Sequence, residues 1–281
     1  MTKSTSASWA VTTPTRSSGS ATCGASPRAN SPFVGKRGAW LSLISLARSV
    51  RERCRKTERD GTSMDLYNAL YTTRAMRRVK PDPIPDNIVK KLLDAAIRAP
   101  SGGNQQKWRF LLLTDPAKKS QLQKLYREGL TQLNATQYKA VMDLIKNGDP
   151  NDPEVIQAKK TNASAEWLAD NLDRVPLIVF AWGKPNGESS IYPALWSLQL
   201  AATAEGIGSA LTTLLFKKHT KQVLDILGAP EPTEWVPMAM VTLGYPTGKW
   251  AVAKRQPAHE VTFQDSWGTS VSWRVDTPLW Q

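Results

Sequence analysis

The run PLIVFAW at 176–182 limits the fold most strongly. It is the longest uninterrupted apolar stretch of the chain, and it falls far short of the roughly 20 residues of a membrane helix. Its length makes it a buried strand. A strand without polar positions must be covered by other elements. A chain of 281 residues, 41% hydrophobic, can bury such a core within one large domain or two small ones.

Two further stretches are strand-like, RFLLLTD at 109–115 and VPMAMVTLGYP at 236–246. The remaining patterned segments are helical. SMDLYNALYTTRAMRR at 63–78 places Leu66, Tyr67, Leu70 and Tyr71 on one face. PDPIPD is a proline-punctuated connector, after which Asp86 can cap NIVKKLLDAAIRA, a helix that Pro100 stops. A long, mainly polar helical region runs to about 173 and breaks at NGDPNDP, 147–153. YPALWSLQLAATAEGIGSA at 192–210 is a buried helix closed by a left-handed Gly206. TKQVLDILG at 220–228 is one more helix. Helices outnumber strands in a mixed order without internal repeats, which predicts α+β: a central sheet packed by helices.

The net charge of +13 raises the question of nucleic acid. Residues 1–63 hold 11 basic and 3 acidic residues, while the remaining 218 hold 26 and 21. The basicity thus belongs mostly to the leader, whose first 31 residues are Ser/Thr-rich without an apolar period and predict disorder. The leader's aromatics are few and scattered, Trp9, Phe33 and Trp40, a poor platform for single strands. Neither a nucleic-acid nor a membrane partner is expected. Two readings of the leader stay open, an organelle transit peptide and an extension upstream of a domain that begins at Met64. Both cysteines, Cys23 and Cys54, lie in it, which leaves the body without a thiol nucleophile and fits a reducing, cytoplasmic setting. The domain is expected over 64–265, with 266–281 as a Trp-rich arm or tail.

Metal and acyl-transfer chemistry find no motif: CxxC, HExxH and GxSxG are absent. The two histidines, His219 and His259, read as surface or cap residues. Three clusters suit a flat, anionic ligand instead. In TTRAMRRVK at 72–80, Arg74 and Arg78 would share a helix face and converge on a phosphate. In APSGGNQQKWRF at 99–110, Ser101, Gly102 and Gly103 expose backbone N–H groups, Asn104 offers an amide, and Trp108 anchors the loop to the core. LTT at 211–213 and AKRQP at 253–257 add hydroxyls and two cations.

In this order the clusters resemble the nitroreductase-like family of FMN-dependent oxidoreductases, over roughly residues 64–265. RAMRR (Arg74, Ala75, Met76 and Arg78) resembles the family's early arginine motif, which grips the FMN phosphate and ribityl chain. Pro100, Ser101, Gly102 and Asn104 resemble its flavin-edge loop, and Gly206 to Ser209 with Leu211, Thr212 and Thr213 its late glycine and threonine segment. Lys254 and Arg255, after Gly244-Tyr245-Pro246, resemble its closing basic pair. The resemblance implies an intertwined homodimer with FMN at the subunit interface and Thr213 near flavin N5. It also implies ping-pong electron transfer from NAD(P)H to a nitroaromatic, quinone or other small electron-poor acceptor. The chain departs from the family pattern at Met76, Lys107 and Leu214, where Ser, Pro and Pro are usual. A branch containing halotyrosine dehalogenases holds an amino acid with a Glu, a Tyr and a Lys of its lid. The matching positions here are Asn134, Tyr138 and Lys159, and Asn lacks the charge an ammonium needs. Reductive dehalogenation and non-catalytic flavin binding remain the alternatives.

Overall fold

The computed structural model describes residues 64–280, so the expectations for the leader and its cysteines lie outside the described residues. Four antiparallel strands form one sheet in the order β1-β2-β4-β3. They are β1 (Trp108–Leu113), β2 (Leu177–Gly183), β3 (Gly208–Thr212) and β4 (Val236–Gly244). The helices are α1 (Leu66–Thr72), α2 (Asp86–Ala96), α3 (Pro116–Ala135), α4 (Lys139–Asn147), α5 (Pro153–Asn171), α6 (Glu188–Ala204), α7 (Leu214–Lys218) and α8 (Thr220–Leu227). The expected α+β architecture, a central antiparallel sheet packed by helices, is present.

The apolar run of β2 has a direct cause. Successive side chains of a strand point to opposite faces, and here both faces are covered. Ile178, Phe180 and Trp182 pack with residues of α3, α5, α7 and α8. Leu177, Val179 and Ala181 pack with residues of α2 and α6. Every residue of β2 is therefore buried. One charge enters this interior: buried Lys119 of α3 donates to the Val175 carbonyl at 2.7 Å, just before β2. Loss of water lowers its pKa, opposed by Asp173 and Asp115.

Several boundaries differ from expectation. Pro85, not Asp86, is the N-cap of α2, and Asp86 forms its first turn. The long polar region breaks a second time, at 136–138, where Thr136 leaves helical geometry. The helix α6 begins at Glu188, a turn before the expected start, and carries Pro193 inside. Gly206 does turn left-handed, with φ +71°. The residues after it, expected within the helix, form the strand β3 paired with β4. His219, expected on the surface or at a cap, is the N-cap of α8, and it is buried there.

Candidate functional site

The arginine segment is extended, not helical. α1 ends at Thr73, whose backbone N–H still reaches Ala69 O at 2.9 Å. Beyond it the backbone bonds to the sheet. Met76 N–H donates to Ser209 O at 2.8 Å, Lys80 N–H to Tyr245 O at 2.8 Å, and Thr247 N–H to Arg78 O at 3.0 Å. Long-range pairing overrides the local helix preference of DLYNALYTTRAMRR.

Two glycines make this approach possible. Gly208 and Gly244 face each other across β3 and β4. A Cβ on Gly208 would lie 2.9 Å from Met76 Cβ, and one on Gly244 would lie 2.7 Å from Val79 Cβ. Met76 and Val79 are buried there. Met76 thus packs its side chain against the bare backbone of Gly208.

The arginines separate. Arg74 Nη2 donates to Lys249 O at 2.6 Å, and Arg78 Nη2 to Ala163 O on α5 at 3.2 Å. The helical spacing expected to set Arg74 and Arg78 on one face is absent, and the two donate to different carbonyls. Arg77, passed over by that spacing, lies half-buried. Its charge bears on the buried Tyr126, whose pKa is raised by burial and drawn back by the Thr212 hydroxyl and Arg77. In the extended backbone Arg77 is half-buried and Arg78 exposed, a difference that helical spacing does not predict.

The loop before β1 closes on itself. Gln106 N–H donates to Ser101 Oγ at 3.1 Å, and Gly102 N–H to Ser190 Oγ at 3.3 Å. Gly102 to Asn104 form a short 3₁₀ turn. Gly103, Asn104 and Gln106 all have positive φ, +57°, +52° and +51°. Asn tolerates that region, whereas Gln stores roughly 1–3 kcal/mol of strain there. Pro100 and residues 102–107 are exposed, and buried Trp108 anchors the loop as expected.

β1 begins and β3 ends at the same end of the sheet, as the antiparallel registers require. The loop 100–107 and the pair Thr212-Thr213 therefore share that end. Thr212 Oγ1 accepts from Leu214 N–H at 3.2 Å, and Thr213 caps α7. Leu211, Thr212 and Thr213 are half-buried. Lys254 and Arg255 are exposed, in the stretch after β4 whose Lys249 carbonyl holds Arg74.

Over the helices α4 and α5, Tyr138 is exposed at the N-cap of α4. Lys159 lines an open groove of about 490 Å³ with Arg78, Ile145, Asn162 and Glu166. Asn134 is not open to that groove as a lone amide: its Nδ2 donates to Glu166 Oε1 at 3.0 Å. Arg127 pairs with both Glu166 and Asp170.

The family model described as "Nitroreductase family" matches residues 70–245, more than half of the chain. A protein of Thermus thermophilus named NADH dehydrogenase is 30% identical over 206 residues, covering 70% of this chain and 95% of its own. The 5,6-dimethylbenzimidazole synthase of Rhodospirillum rubrum is 28% identical over 203 residues, covering 66% and 85%. The crystal structure of oxidized iodotyrosine deiodinase bound to FMN and 3-iodo-L-tyrosine shares the fold, with a TM-score of 0.52 at 22% identity, over 68% of this chain and 95% of that one. The chain belongs to the nitroreductase family.

Proposed function

We propose that the chain is an FMN-dependent oxidoreductase that takes electrons from NADH or NADPH and passes them to small electron-poor acceptors such as quinones and nitroaromatics. FMN presents a phosphate, a polyol chain and a flat ring with a donor and acceptor edge. The residues suit each part. Arg74, with Lys254 and Arg255 on the stretch that holds it, offers charge-assisted donors for the phosphate. Arg77 and Arg78 add positive charge on the same segment. The loop 100–104 offers a polar edge, and Gly102 leaves it bare: a Cβ there would meet nothing within 4 Å. Thr213 offers a backbone N–H and a hydroxyl at the same end of the sheet as that loop.

The observation that carries the reading is the seating of an arginine-bearing segment on two opposed glycines of a sheet whose neighbouring loops are polar and open. Bound FMN would supply two-electron chemistry that no side chain here can provide. The protein's part is to bind, to orient and to exclude water. Arg74 and Arg255 balance negative charge, and Trp108 keeps the edge loop in place. The dehalogenase alternative draws no support from Asn134, because its carboxylate neighbour Glu166 is already neutralised by Arg127.

The site is completed, in this proposal, by a second copy of the chain. Leu66 and Tyr67 of α1 are 62% and 53% exposed, and Tyr192 and Trp196 of α6 are also exposed. Trp280 of the C-terminal segment stacks on Tyr67 at 4.9 Å, and Trp267 stands 93% exposed. Such apolar surface marks an interface. Among the described residues no helix is long and apolar enough to cross a membrane.

The visible spectrum of the purified protein, followed by anaerobic titration, tests the reading. A yellow protein is expected, bleached by NADH or NADPH and restored by a quinone or nitroaromatic. A colourless protein that takes up no FMN on reconstitution overturns it.

A further inference from the structure

The face of α6 that packs on the sheet is apolar at Ile191, Ala194, Leu195, Leu198 and Ala202. Two polar residues interrupt it one turn apart, Gln199 and Thr203, both buried. Gln199 Nε2 donates to Ser209 Oγ at 3.2 Å. Thr203 Oγ1 donates to Gln199 O at 3.1 Å and lies 2.7 Å from Thr73 Oγ1. A hydroxyl has one proton, so the Thr73 hydroxyl must donate to Thr203. The helix thereby grips both flanks of Arg74 and Ala75: Thr73 before them, and Ser209, whose carbonyl holds Met76 N–H, after them.

We propose that Thr203 and Gln199 are positioning residues for the phosphate-binding arginine. An inference of this kind rests on the FMN reading above. The backbone of segment 74–80 pairs with the sheet through two isolated bridges, at Ala75 with Ser209 and Val79 with Pro246. Bridges of that kind do not by themselves define one register, and apolar contacts with bare glycines define it even less. A satisfied buried polar network does, because any shift leaves a donor unpaired. The network therefore selects one height of Arg74 over β3, and with it one position for the phosphate. Neither Thr203 nor Gln199 needs to touch the ligand.

The test is FMN affinity, read from flavin fluorescence released on dilution of the holoprotein. Thr203→Val should weaken binding about tenfold, the size of one well-made hydrogen bond. Thr203→Ser should retain native affinity. The double variant Thr73→Val with Thr203→Val removes both partners, leaves no unpaired hydroxyl and guards against simple unfolding; it should keep the melting temperature yet bind FMN as weakly as Thr203→Val. In an Arg74→Ala background Thr203→Val should have no further effect, because its action passes through Arg74. Native affinity in the double valine variant, or full additivity with Arg74→Ala, overturns the inference alone. A parent protein that binds no FMN overturns the functional reading and the inference together.

Discussion

The strand β2 and the segment 74–80 are attached to the same sheet by opposite means. β2 is buried on both faces and paired along its length on both edges. The arginine segment rests on the sheet through a few backbone bonds and two side chains set against glycines. One is held by apolar area, the other by close approach and direction. The difference teaches that the stable part of this protein and the segment proposed to face the cofactor answer to different residues, so substitutions should separate them.

The largest effect is expected at the centre. Phe180→Ala, at a fully buried position, should cost about 3–5 kcal/mol of unfolding free energy, measured by denaturant titration. The slope of FMN affinity against stability should be flat in that variant if it still folds. Arg74→Ala should do the reverse: unchanged unfolding, with FMN affinity lowered by roughly 1.5–3 kcal/mol, measured by equilibrium titration. Equal losses of stability and affinity in both variants would erase the distinction. Gly244→Ala crosses the boundary between the two regions. Its new methyl meets Val79 Cβ, and overpacking of this kind costs about 1–3 kcal/mol. FMN affinity should fall in step, since the segment must lift to make room.

The smallest effect concerns the one charge in the apolar region. Burial lowers the Lys119 pKa, so at alkaline pH the unfolded chain holds more protons than the folded one. Stability should therefore gain a contribution as the pH rises through the folded pKa toward the ordinary lysine range. Lys119→Met should lack it. The difference in unfolding free energy between the two proteins, followed from neutral to alkaline pH, isolates the effect. An unchanged difference would show that Lys119 is hydrated in solution.

The sequence revealed the two regions unequally. PLIVFAW and VPMAMVTLG read as strands because burial on both faces leaves no ambiguity about an apolar run. Trp108 and Gly206 were legible for local reasons, a bulky apolar residue after a polar loop and a glycine after a long helix. β3 was not: GSALT is short, small and joined directly to a helix stop, and only β4 makes it a strand. The arginines were visible as a cluster, but their geometry was not. DLYNALYTTRAMRR continues a helical pattern without a break, and what ends the helix is a set of distant partners. Thr73 is taken by Thr203, the Met76 and Lys80 N–H groups by Ser209 and Tyr245, and the Arg78 carbonyl by Thr247. No local signal encodes those contacts. His219 illustrates the same limit, since polar neighbours in sequence did not prevent its burial.

The opposed glycines have a kinetic consequence. Every partner of the arginine segment is remote in sequence; Arg74 and Lys249 stand 175 residues apart. Closing so large a loop is entropically unfavourable until the chain between is already ordered. Docking of the segment onto the paired strands β3 and β4 is therefore expected late in folding, since that pair has its own ladder of backbone bonds. In the proposed FMN reading the segment becomes a latch on a finished frame, and an anion that bridges Arg74 to the chain around Lys249 would slow its release. Retention of the cofactor and retention of the fold are then governed by separate barriers.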